Sequence, residues 1–238
     1  MIRALRPLAR RLLPAVVALA CAPLWADRED VKALQPSISL QWQLIKDDRQ
    51  HNIQVYSKLE DDRRIRSMKG EGEPPASVGD MVETLFDFNR YPEWFWRLKE
   101  IRLLKQVSPL EAWVYVSFSP PMGLPDRDTV LHYTAEYERG GTRATVHAVG
   151  VPDYLPPQAG KVRMPYATLD AWIAARDEGK VWFRGEVVMD PGGQLPVWAS
   201  NLVQRQGPYY TMLNLIKVLE HKTAPADEAM LPSRPGRS

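Results

Sequence analysis

Four histidines and one cysteine are the side chains best suited to chemistry near neutral pH, and their placement argues against a catalytic or metal centre. His51 falls in a turn and His221 close to the C-terminal tail. His132 and His147 remain, and the sequence sets no carboxylate beside either at a spacing that would orient an imidazole. No metal-spaced histidine cluster, glycine-rich phosphate loop or Gly-x-Ser-x-Gly elbow is present, so neither a metal nor a cofactor is expected. Arg127-Asp128 is an adjacent pair of opposite charges that could act catalytically. Its simpler reading is structural, with Asp128 bonding loop backbone and Arg127 pairing with a nearby acid. Arg163 with Glu186 reads as a cross-strand ion pair, and Asp190 as a turn residue.

Cys21 is the single cysteine and lies in an N-terminal stretch that resembles an export signal. Arg3, Arg6, Arg10 and Arg11 form a basic start, Leu12 to Leu24 a short apolar core, and Ala26 a cleavage point. Residues 1–26 are therefore expected to be a signal peptide, directing the chain to the periplasm or outside the cell. The run Ala18-Leu19-Ala20-Cys21 also resembles a lipoprotein processing site, which would leave a lipidated Cys21 as anchor. Without the signal the chain has no thiol, which excludes disulfides, thiolate catalysis and cysteine-ligated metal. Residues 1–26 hold four arginines and no acid, so their removal takes the formal charge from +2 to −2. No basic stripe interleaved with aromatics appears elsewhere, and nucleic acid is not an expected partner.

Period-2 alternation marks the elements that must position any site. Trp42 to Glu73 reads as a three-strand meander with turns at Asp47–Gln50 and at Asp61-Asp62. Ser77 with Asp80 approximates a capping box opening a helix through Phe86, followed by the aromatic run Tyr91-Pro92-Glu93-Trp94-Phe95-Trp96. Strands are expected near 101–107, 112–118, 128–138, 142–149 and 167–175, the third hairpin turning at Arg139-Gly140-Gly141. The proline-rich run Ser119–Pro125 interrupts this series. A strand from Val181 to Met189 then turns at Asp190-Pro191-Gly192-Gly193 into a long helix whose first position is Pro196. Gly207-Pro208 should kink that helix. Residues 27–222 thus read as one domain, and residues 223–238 as a disordered tail. Hairpin connections imply an α+β helix-grip fold, a curved antiparallel β-sheet wrapped around a long C-terminal helix with a hydrophobic cavity between.

Three segments in this order resemble START (StAR-related lipid transfer) domains, within the wider Bet v 1-like superfamily. They are Trp113 to Asp128, with its strand, proline-rich loop and Arg-Asp pair; Lys161 to Met164, followed by Trp172 and by Asp190 to Asn201; and Tyr91-Pro92-Glu93-Trp94 after the first helix. The resemblance spans about residues 35–220. It implies a carrier of a hydrophobic small molecule, a lipid, sterol or similar, with transient membrane-surface contact. Transport and sensing are both compatible with it; the alternatives are a polyketide cyclase-like enzyme, from the wider fold group, and an envelope assembly partner. Some family members carry an acidic–basic pair at the cavity floor. Here His132 falls near the basic position, and the preceding strand shows no obvious acid.

On the last helix, Trp198, Leu202, Tyr209 and Leu213 fall close to one face and are expected to line the cavity. On the strand from 112 to 118, Trp113, Tyr115 and Ser117 share one face, and Val114, Val116 and Phe118 the other. The sequence does not fix which face is inward. The first set is favoured because a small polar Ser117 beside aromatics suits an orienting group. His132 is included as a polar contact, although a satisfied structural histidine is the commoner case.

Overall fold

A computed structural model describes residues 41–60, 66–138 and 140–223. The signal peptide, Cys21, the Asp61-Asp62 turn, Arg139 and the tail beyond Thr223 lie outside the described residues.

The meander forms as its alternation predicts. β1 (Gln43–Asp48), β2 (Ile53–Leu59) and β3 (Arg66–Gly72) run antiparallel, with Ile53, Val55 and Met68 buried on the inner face. Helix α1 (Val78–Phe86) starts at the predicted box. Ser77 Oγ accepts from the Asp80 amide at 3.0 Å, and Asp80 Oδ2 accepts from the Ser77 amide at 3.3 Å. A one-turn helix α2 (Tyr91–Trp94) follows, and its aromatics enter the core.

β4 (Leu98–Ser108), β5 (Glu111–Phe118), β6 (Asp126–Tyr137) and β7 (Arg143–Gly150) are successive antiparallel neighbours. β9 (Tyr166–Ala175) pairs with β7 on one side and β10 (Val181–Asp190) on the other. β10 closes onto β3, giving the order β1-β2-β3-β10-β9-β7-β6-β5-β4. β1 and β4 are thus the outermost strands of this path, and the pairing of each is broken by register shifts. A short β8 (Lys161–Arg163) pairs in parallel with the start of β6.

Helix α3 (Val197–Thr223) begins one residue after Pro196 and continues through Gly207-Pro208 as one helix. Its two halves differ. Met212, Leu215, Ile216 and Leu219 recur at helical spacing and are buried against the core, while Val197 and Trp198 at the start are exposed. Close seating is possible because β3 carries glycine beneath the helix. A Cβ on Gly70 would lie 2.9 Å from Met212 Cγ, so the missing side chain is what admits Met212.

The turn before α3 is equally constrained. Asp190 Oδ1 accepts from the Gly192 amide at 2.9 Å, and Gly192 has φ +65°. A Cβ there would stand 2.5 Å from the Arg163 carbonyl oxygen, so both conformation and space require glycine.

Candidate functional site

A cavity of about 180 Å³ lies between the concave face of the sheet and α3. β3, β10 and β9 supply Met68, Phe183, Val187, Met189 and Leu169, and the α2 segment supplies Tyr91, Trp94, Phe95 and Trp96. The helix contributes Val203, Gly207, Pro208, Thr211, Met212 and Leu215, and the flanking loops Ser119, Pro120, Pro191 and Leu195. A smaller cavity of about 30 Å³ shares Tyr91, Phe95, Met164, Leu169 and Val187 with it. The lining is almost wholly aliphatic and aromatic, the composition that favours an apolar occupant.

One end is shaped by packed rings. Tyr91 and Trp94 have centroids 4.4 Å apart, and Phe95 and Phe118 5.5 Å apart. The Tyr91 hydroxyl donates to the Leu85 carbonyl at 2.8 Å, and burial pushes its phenol well above the ordinary range.

None of the eight expected lining residues is on this wall, and the reason is register. Strand β5 turns Val114, Val116 and Phe118 inward, so Trp113, Tyr115 and Ser117 face outward. Tyr115 is fully buried all the same, because other side chains cover the outer face. The Arg102 guanidinium sits 4.5 Å above its ring, and Lys161 Nζ lies 2.9 Å from its hydroxyl. Trp113 stacks on His132 at 3.8 Å, and His132 Nε2 lies 3.0 Å from Glu111 Oε1. The preceding strand therefore does hold an acid beside His132, on the outside of the sheet. His147 likewise meets Asp170 at 2.6 Å across β7 and β9, so both histidines have the carboxylate neighbours that sequence spacing hid.

On α3 the wall lies on a different face from the expected row, since Val203 follows Leu202 whereas Met212 precedes Leu213. The wall uses Val203, Thr211 and Met212, whereas Leu202 and Leu213 flank that row and Trp198 is partly exposed. Tyr209 turns to the β1–β2 turn, where its hydroxyl donates to Asp48 Oδ2 at 2.8 Å and Lys46 Nζ lies 4.4 Å over its ring.

The Arg127-Asp128 pair is split by the same alternation. Asp128 points outward and is fully buried. Arg163 grips it through Nε at 3.0 Å and Nη2 at 3.2 Å, and the Tyr115 hydroxyl donates to it at 3.0 Å. Arg163 also donates to the carbonyls of Pro152, Leu155 and Pro156, tying the 150s loop to the sheet. Its partner is therefore Asp128 and not Glu186, which pairs with Arg184. Lys161 bonds Glu100 at 2.7 Å and holds that carboxyl below its usual range. Arg127 faces the cavity and is 4% exposed. It donates to the carbonyls of Pro125 and Gln194 but forms no ion pair among the described residues. Burial lowers its pKa, with the Asp126 charge acting in the opposite direction. Cavity composition could have been anticipated in part, since isolated Gly70 and Gly185 within strands signal a close approach from above.

A strongly curved antiparallel sheet closed over an apolar cavity by one long helix defines a helix-grip protein. Among solved structures, a STAR-related lipid transfer protein from Xanthomonas axonopodis is 32% identical, with a TM-score of 0.68 over 75% of this chain and 98% of that one. On that likeness the chain belongs to the StAR-related lipid transfer (START) family. Human STARD10 superposes with a TM-score of 0.63 at 19% identity, covering 83% of each chain. Human StAR-related lipid transfer protein 5 gives 0.65 at 14% identity, covering 82% of this chain and 95% of that one. These two share the fold. No family model and no curated protein matches the chain.

Proposed function

We propose that this chain is a non-catalytic carrier that holds a lipid or similar hydrophobic small molecule in the cavity under α3, for transport or sensing in the cell envelope. The observation that carries this reading is the apolar cavity between the sheet and α3. Burying a few hundred Å² of apolar ligand surface stabilises a complex by several kcal/mol at roughly 25 cal/mol per Å², before ordering costs are subtracted. The wall supports a carrier over an enzyme. Its described residues include no histidine or carboxylate, and the Tyr91 phenol is held neutral, so no pair is poised to exchange a proton with an occupant.

The N-terminal half of α3 and the Ser119–Pro125 loop form the gate. Both border the cavity, and both present apolar tips to solvent: Met122 is 85% exposed and Val197 68%. Together with Trp198 they suit brief contact with a membrane surface during loading. Residues 1–26 carry the features of an export signal, which supports a periplasmic or secreted location; processing before Cys21 instead of after Ala26 would leave that residue as a lipid anchor.

Mass spectrometry of organic extracts from natively purified protein tests the carrier reading. A co-purifying apolar molecule at near-stoichiometric ratio is expected. If none is found, and delipidated protein binds no member of a fatty acid and sterol panel, the reading fails. Cell fractionation and the intact mass of the mature chain test the location and the fate of Cys21.

A further inference from the structure

Two buried donors on the cavity wall lack acceptors. Among the described residues, Arg127 Nε and Trp94 Nε1 have no hydrogen-bond partner, on residues 4% and 3% exposed. Arg127 is the more consequential, because its guanidinium remains charged under all ordinary conditions. A buried cation normally lies against a carboxylate, since an uncompensated charge in an apolar setting is strongly disfavoured. The nearest acid in sequence, Asp126, is engaged elsewhere, by Lys99 Nζ at 2.6 Å and the Ser119 hydroxyl at 2.9 Å. A second arginine, Arg97, stands on the same wall, and no acidic residue does. The cavity is therefore apolar in its surface and positive in its charge.

We propose that the occupant is an anionic amphiphile, an apolar tail bearing a carboxylate or phosphate, with its anion seated on Arg127. This deepens the carrier reading and rests on it. The geometry also sets the direction of the ligand. Arg127 donates to Pro125 in the proline-rich loop and, at 3.4 Å, to Gln194 in the turn before α3. The charged head consequently lies where the two gating segments meet, and the tail runs along the aliphatic and aromatic wall. An anion taking the vacant Nε, and competing for the long bond to Gln194, ties recognition of the head to the segment from which α3 starts. Charge-assisted bonds from a desolvated guanidinium are short and directional, which favours an anionic head over a neutral one of equal tail length.

The test compares three probes with the same tail on delipidated full-length mature protein: oleate, oleoyl lysophosphatidate and oleyl alcohol, titrated calorimetrically below their aggregation concentrations. At least one anionic probe is expected to bind at least tenfold more tightly than the alcohol. The tighter of the two anions distinguishes a fatty carboxylate from a phospholipid head as the source. In Arg127→Gln the anion preference over the alcohol is expected to collapse to within about twofold, while Arg127→Lys retains part of it. Circular dichroism confirms that the variants fold, and the wild-type comparison stands without them. Equal affinity of wild type for anions and alcohol overturns this proposal and leaves the carrier reading intact, as does an anion preference that persists in folded Arg127→Gln. Failure of all three probes to bind overturns this proposal, and it overturns the carrier reading as well only if the sterol panel also fails and the native extract is empty.

Discussion

The Tyr209 hydroxyl donates to Asp48 at 2.8 Å, joining the middle of α3 to the β1–β2 turn across 161 residues of chain. The contact sits immediately after Gly207-Pro208, where the exposed start of the helix gives way to its buried half. In the gating scheme proposed above, this contact is the pin of the gate. The same Asp48 oxygen lies 2.8 Å from His51 Nδ1.

The pin has a pH signature. The Tyr209 hydroxyl, followed by His51, draws the Asp48 carboxyl down to about 2. A carboxyl depressed in the folded state contributes stability that is complete above its unfolded pKa of about 3.9 and is lost as pH falls toward the folded value. The Asp48–Tyr209 contact is therefore expected to persist through the neutral range and to release between about pH 4 and pH 2. Tyr209→Phe should raise the Asp48 titration midpoint toward the ordinary carboxylate range and speed ligand exchange at pH 7. Carboxyl-detected NMR titration and stopped-flow exchange measure the two effects, and an unmoved midpoint would refute the pin.

The outer network makes a stability prediction. Asp128 is fully buried and receives two bonds from Arg163 and one from Tyr115. Removing one member of a buried ion pair leaves the other charge uncompensated, which typically costs about 3–5 kcal/mol. Asp128→Ala should destabilise the chain by that amount and loosen the 150s loop, whose carbonyls Arg163 holds. Denaturant unfolding gives the first quantity and amide exchange of residues 151–160 the second.

Gly207 separates the two halves of α3. A Cβ at this position would meet Trp96 Cε3 at 3.5 Å, an ordinary van der Waals contact. Gly207→Ala should therefore be accommodated and stabilise the helix by roughly 0.5–1 kcal/mol. The same change stiffens the joint, so ligand exchange should slow while affinity holds or rises. Unchanged exchange rates in the variant, and in Pro208→Ala, would remove the joint from the gating scheme.

Gly70 has the opposite sensitivity. Its Cβ position is occupied by Met212 Cγ, and both residues border the cavity. Gly70→Val should lift α3 from β3 at a cost of about 1–3 kcal/mol, the usual range for overpacking. It should also reduce cavity volume and ligand stoichiometry. A variant with wild-type melting temperature and full ligand occupancy would show that the helix does not depend on this seat.

The architecture was legible in the chain because alternation, turn residues and the Ser77–Asp80 box all report on local geometry. The wall was not, since a period-2 strand has two faces and β5 carries large side chains on both. Trp113 and Tyr115 suit a cavity by type. They are instead roofed by Arg102, Lys161 and His132, which come from neighbouring strands and from β8. On α3 Met212 drops into the gap left by Gly70, which turns inward a different face from the one marked by Trp198, Leu202, Tyr209 and Leu213. The partners of His132 and His147 were hidden for a related reason: cross-strand neighbours lie 21 and 23 residues away in the sequence.

A sheet that stops at β1 and β4 presents two rows of backbone donors and acceptors to which a second chain could add a strand. Register shifts interrupt both rows, three of them in β4, whose sequence also sets Lys99, Glu100, Arg102 and Lys105 along the rim. Irregular, charged rims are poor templates for intermolecular β-pairing. If α3 opens as proposed, these rims would keep the exposed interior from seeding intermolecular pairing.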